Sequence, residues 1–235
     1  MSKQKAKKDR IAKYLQDLNG GILFDELSDK YLKEAGVLEI LRGVPVPISA
    51  GVGDELTTLT IAYGMARVIG ADTNFEYKNK YIAYIKHLFG DDASKALIAE
   101  GAKYGQSGNY ELATMFFRAV LLFDPKSQDA LYLYGRACKD AYELNNEDES
   151  YVGNFKAESL DIFELLTMIH PEFAMGYYFL GYGYANMGLY TKADLTWKNF
   201  MELTAASGNP ETEELRSEIS DRMAALEEPV KIERG

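Results

Sequence analysis

Apolar residues recur at helical spacing along most of the chain. Residues 8–18, 25–41, 55–70 and 75–90 each read as helices; in the last, Tyr77, Tyr81, Tyr84, Ile85 and Leu88 share one face. Asn19-Gly20-Gly21 separates the first two. The stretch from Val44-Pro45-Val46-Pro47 to Gly53 reads as extended or turn-like, because each proline fixes its own φ and biases its predecessor away from helix. This is where a hinge or boundary is expected. Near the end, Asn209 and Pro210 followed by Glu211, Glu213 and Glu214 form a helix start: a capping side chain, proline at the first position, acids at the positive dipole end. Leu215, Ile219, Met223 and Leu226 then give one apolar stripe, which Pro229 is expected to end.

A repeat occupies the second half. Leu97-x-x-Glu100-Gly101-x-x-Tyr104 is followed by Gly108-x-Tyr110, Ala113-x-x-x-Phe117 and Asp124-Pro125. Tyr177-x-x-Leu180-Gly181-x-x-Tyr184 is followed by Gly188-x-Tyr190 and Ala193-x-x-x-Trp197. Between them lie Leu131-x-x-Tyr134-Gly135-x-x-Cys138, Ser159-x-x-x-Phe163 and His170-Pro171. Gly101 to Gly135 is 34 residues, whereas Gly135 to Gly181 is 46, so the middle unit carries 12 extra residues between Gly135 and Ser159. Each unit makes sense as a helical hairpin. Small residues let two helices approach, bulky ones fill the space beside the seam, and Gly108 and Gly188 supply the positive φ of the turn.

This pattern resembles the tetratricopeptide repeat (TPR) family over residues 94 to 207. The resemblance implies an all-α superhelical stack of helical hairpins, with additional N-terminal helices and a C-terminal capping helix. The expected layout is an N-terminal arm and helical region (1–53), a helix pair that could be a degenerate repeat (54–93), and three units (94–127, 128–173 with an enlarged turn, 174–207). A capping helix (208–228) and a tail (229–235) follow. In the family, residues of the first helices line a concave groove that binds a partner's segment. Here those places hold Tyr132, Arg136 and Lys139 in the middle unit, and Tyr178 and Tyr182 in the third. Ile98 and Ala102 stand where some members hold a C-terminal carboxylate with lysine and asparagine, a departure from that clamp. A rival expectation is that the N-terminal helices fold back and fill the groove.

Composition narrows the function. Net charge is -10, while Lys3, Lys5, Lys7, Lys8, Arg10 and Lys13 crowd the start. An acidic body disfavours nucleic acid, leaving a tether to nucleic acid or a membrane surface through the basic arm as an alternative. No apolar run reaches the roughly 20 residues of a membrane helix, and no secretory signal is visible. One cysteine, Cys138, predicts a reducing, cytoplasmic setting and a buried, inert thiol. His87 and His170 lack metal-ligand spacing, and no nucleophile elbow or Walker motif occurs, so the reading is non-enzymatic, with no catalytic residue, metal or cofactor. An enzyme or small-molecule sensor with its site in the first 90 residues remains the other alternative. Asp54 after Gly51-Val52-Gly53 reads as a helix cap, and the acids of residues 143–151 as a solvated loop rather than a calcium loop.

Overall fold

The structure, a computed structural model, describes residues 9–48 and 57–234. The lysines at 3, 5, 7 and 8 and the Gly51–Asp54 step lie outside them. In chain order the elements are α1 (Ala12–Asp17), β1 (Leu23–Glu26), α2 (Asp29–Glu34), α3 (Leu38–Leu41), β2 (Pro45–Ile48), α4 (Thr58–Ala71) and α5 (Lys78–Phe89). Then come α6 (Ala93–Gln106), α7 (Tyr110–Leu121), α8 (Gln128–Leu144), α9 (Glu149–Ile169), α10 (Ala174–Ala185), α11 (Tyr190–Leu203), α12 (Pro210–Ala225) and α13 (Glu227–Arg234). The architecture is all-α, built of sequential helical hairpins with extra N-terminal helices and a C-terminal helix. One small ribbon is the exception. Two compact units divide within α9, Met1–Phe155 and Lys156–Gly235.

In the first unit, α6 packs on α7 and α7 on α4 and α8. The seam is made of small residues. A Cβ at Gly101 would lie 2.7 Å from the Phe117 ring, and one at Gly70 only 1.9 Å from the Met115 carbonyl oxygen, so these helices touch because glycine has no side chain. Gly108 turns the chain at φ 78°, as its place between helices predicts. The core runs from Leu32, Val37, Leu41 and Val46 through Ile61, Met65, Tyr81 and Tyr84 to Phe116. Burial raises the Tyr84 phenol to about 12, and its hydroxyl donates to the Thr58 carbonyl at 3.2 Å. Thr57, reciprocally bonded with Thr60, caps α4.

Here two expectations change. The helix expected over 25–41 is instead β1, α2 and α3: Ser28 caps α2, and Gly36 at φ 70° breaks the helical path. Pro45–Ile48 is extended, as its prolines predict, and forms a strand paired antiparallel with β1 so that Phe24 faces Pro47 and Glu26 faces Pro45; the rest of the expected boundary, residues 49–53, lies outside the described residues. Prolines fit because their missing N–H groups point away from β1; the Pro45 carbonyl, on that same outer side, accepts the Tyr81 hydroxyl at 2.6 Å. The middle hairpin has no enlarged turn. Its additional residues lengthen the helices, α8 to 17 residues and α9 to 21, since Leu131, Tyr134, Cys138 and Ala141 extend one buried stripe and Tyr151, Phe155 and Ser159 another. Asp148 takes up the acid of the short connection by accepting the N–H groups of Ser150 (2.8 Å) and Tyr151 (3.1 Å).

The N-terminal segment does fold back, onto α4 and α7. Ile11 and Leu15 are fully buried, Tyr14 sits edge-on to Tyr151 at 5.1 Å, and both terminal guanidinium nitrogens of Arg118, Nη1 and Nη2, donate to the Asp9 carboxylate.

In the second unit α10 packs on α11. A Cβ at Gly181 would lie 2.2 Å from the Trp197 indole nitrogen, which donates to the Tyr178 carbonyl at 3.1 Å. Asn209 caps α12, its side chain accepting from Glu211 N–H at 2.9 Å. Helix resumes beyond Leu226 as α13, with Pro229 in the first turn, where a missing N–H costs nothing. The expected tail is therefore largely helical.

Candidate functional site

Where α6, α7 and α8 meet, the first unit holds a cleft of about 390 Å³. Its depth follows from small side chains: Ala102 and Gly105 on α6, Ala113 on α7 and Ala137 on α8 leave room that larger residues would fill. Phe117 contributes an aromatic wall. The polar side chains that line it are Gln106, Tyr110, Arg136 and Asp140.

Arg136 is 43% exposed; its Nη2 lies 3.8 Å from the Asp140 carboxylate, at the outer limit of an ion pair, and its guanidinium stands 5.9 Å from the centre of the Tyr132 ring. Lys139, one turn on, is held by Glu143 at 2.5 Å and stands 3.9 Å from Asp140. Desolvation raises the Asp140 carboxyl above its ordinary value, against the pull of Arg136 and Lys139. Tyr132, Arg136 and Lys139 thus cluster on α8, but only Arg136 lines the cleft.

The N-terminal helix does not fill this cleft. Ala113 and Phe117 face it, whereas Arg118, which holds Asp9, lies five residues from Ala113 and so about 140° around α7. The segment α1 occupies the other side of α7.

In the second unit Tyr178 and Tyr182 are half-buried, and both hydroxyls donate to Glu218 of α12, Tyr178 at 3.0 Å. Tyr182 also meets the Trp197 ring edge-on at 5.0 Å, with the Arg222 guanidinium 5.7 Å from its centre. Burial, reinforced by the carboxylate, raises both phenols. On the opposite side of α10, Phe179 stacks on Phe163 at 5.3 Å and Tyr184 donates to Glu164 at 2.7 Å. A helix apolar on two faces is therefore covered on two faces.

Two features escaped the sequence. Glu218 directly precedes Ile219, the buried point of the α12 stripe, and that adjacency was the available signal. Arg118 is the one charge in the run Met115–Phe123, which marks it as a buried charge needing a partner.

No reactive constellation emerges among the described residues: no group of three or more histidine, cysteine or acidic side chains could hold a metal ion. Cys138 is buried, and His170 lies 3.6 Å from Glu172 just beyond α9. No described helix is long and apolar enough to cross a membrane.

No family model matches the chain, and no curated protein does either. Among solved structures, it is similar to one described as the crystal structure of MamA protein, at 20% identity, covering 75% of this chain and 94% of that chain with a TM-score of 0.42. A second, described as the crystal structure of MamA, matches at 18% identity over 71% of this chain and 96% of that one, also with a TM-score of 0.42.

Proposed function

We propose that the chain is a non-enzymatic interaction module, an adaptor or scaffold that grips a protein or peptide segment on the faces of its first helices. In the first unit Arg136 grips at the cleft, with Tyr132 and Lys139 beside it on α8; in the second, Tyr178 and Tyr182 would grip a partner only where α12 gives way. The observation that carries this reading is the α6–α7–α8 cleft, whose walls of small residues and Phe117 suit an apolar side chain while Arg136 stands at hand for a carboxylate or carbonyl. Apolar transfer of one such side chain gives about 1.5–3 kcal/mol, and a charge-assisted hydrogen bond adds about as much. Two or three such anchors, about 3–9 kcal/mol before the cost of ordering the segment, correspond to binding weaker than about micromolar. That strength suits a reversible contact.

Peptides selected from a random library on the full chain provide the test. Arg136→Glu is expected to weaken the selected peptides by about tenfold or more, because a carboxylate that gained an ion pair would meet a like charge. Circular dichroism should stay unchanged, since Arg136 is half exposed. Undiminished binding to Arg136→Glu would reject the cleft as the grip.

A further inference from the structure

We infer that the tyrosine face of α10 is a helix-receiving surface for which α12 is the resident, displaceable occupant, and that the external partner it fits is an acidic amphipathic helix presenting a carboxylate between aliphatic side chains. This extends the reading above to the second unit and stands on separate observations.

First, α12 shows what the surface accepts. Glu218 takes hydrogen bonds from Tyr178 and Tyr182 at once, one carboxylate oxygen each, and Ile219 beside it is fully buried in the cluster of Trp197 and Phe200. Leu215 and Met223 lie against the same cluster, one turn to either side. Two phenol donors converging on one point select an acceptor with two oxygens. A helix carrying Leu-x-x-Glu-Ile-x-x-x-Met meets that requirement, and Arg222 above the Tyr182 ring completes the contact.

Second, α12 is held lightly. Of its 16 residues only Ile219 is buried, whereas α7 buries eight of 12 and α11 four of 14. Polar ties do much of the work: the Glu218 pair, and Arg216 donating to the Met201 carbonyl at 2.6 Å and to the Thr204 hydroxyl at 2.9 Å. Residues 204–209, with Gly208, connect it to α11. Few buried apolar contacts, with part-buried polar ties in their place, are the properties of a segment that opens more readily than the rest.

The test uses the full chain and a fluorescein-labelled synthetic peptide of residues 209–226. By hydrogen exchange the α12 amides should exchange at least about tenfold faster than those of α10 and α11. Fluorescence anisotropy should show the peptide binding Glu218→Gln about tenfold more tightly than the unaltered chain, because the weakened resident no longer competes. Replacing both Tyr178 and Tyr182 with phenylalanine in that background should remove the gain. Equal exchange in α10, α11 and α12, or equal peptide affinity for both chains, would overturn the proposal. The exchange comparison in the unaltered chain decides the matter by itself should Glu218→Gln unfold. Arg136→Glu is expected to leave this peptide's binding unchanged; a loss there would place the peptide in the cleft and overturn the tyrosine-face assignment. Failure of the cleft is read separately, from the library peptides.

Discussion

Gly70→Ala is expected to destabilise the first unit by about 3 kcal/mol, the upper end of the roughly 1–3 kcal/mol that overpacking costs. The added methyl would fall 1.9 Å from the Met115 carbonyl oxygen, a backbone atom that cannot rotate away, so α4 and α7 must separate. Helix propensity favours alanine by about 1 kcal/mol, which does not offset a displaced interface. Gly101→Ala is the informative contrast. Its methyl would meet the Phe117 ring edge at 2.7 Å and the Phe116 Cβ at 3.0 Å; the ring can yield and the second contact is looser than that at Gly70, so about 1–2 kcal/mol is expected. Urea unfolding followed by circular dichroism should show the larger fall in midpoint for Gly70→Ala with an unchanged slope. Equal falls would mean that α4 and α7 do not cross as described.

Asp9→Ala is expected to cost about 3 kcal/mol, the low end for breaking a buried pair, because Asp9 keeps 28% exposure while Arg118 keeps only 6%. The loss comes from removing the carboxylate that accepts from both terminal guanidinium nitrogens of the buried Arg118. Replacing both residues together, Asp9→Ala with Arg118→Met, should restore much of the stability, since neither charge then needs solvation. A double-mutant cycle measures the coupling, and limited proteolysis should find α1 more readily cleaved in Asp9→Ala alone. Additive effects in the cycle would show the pair to be incidental.

Where the sequence was legible, short-range sterics was the cause. Gly101 and Gly181 announce close helix approach because their spacing to Phe117 and Trp197 is the same 16 residues, and both approaches are too tight for a Cβ. Gly108 and Gly188, at φ 78° and 73°, were readable because few other residues adopt that backbone. Asn209-Pro210 was readable as a local cap. What stayed hidden depends on partners distant in sequence. Leu23–Glu26 is four residues, too short to show a period, and becomes a strand only through Pro45–Ile48. The 12 extra residues of the middle hairpin read as an enlarged turn, and only the burial of Tyr151 and Phe155 shows that they lengthen the helices instead. The candidate site divided in the same way: the α8 cluster of Tyr132, Arg136 and Lys139 follows from helical spacing, while the cover on Tyr178 and Tyr182 comes from Glu218, 36 residues beyond Tyr182.

The most direct test of the central claim is nuclear magnetic resonance mapping of a library-selected peptide on the full chain. The cleft account predicts saturable shift changes concentrated at Ala102, Ala113, Phe117, Arg136 and Ala137, abolished by Arg136→Glu. Changes concentrated elsewhere on the chain and indifferent to Arg136, or a selection that enriches no binding peptide, would contradict it.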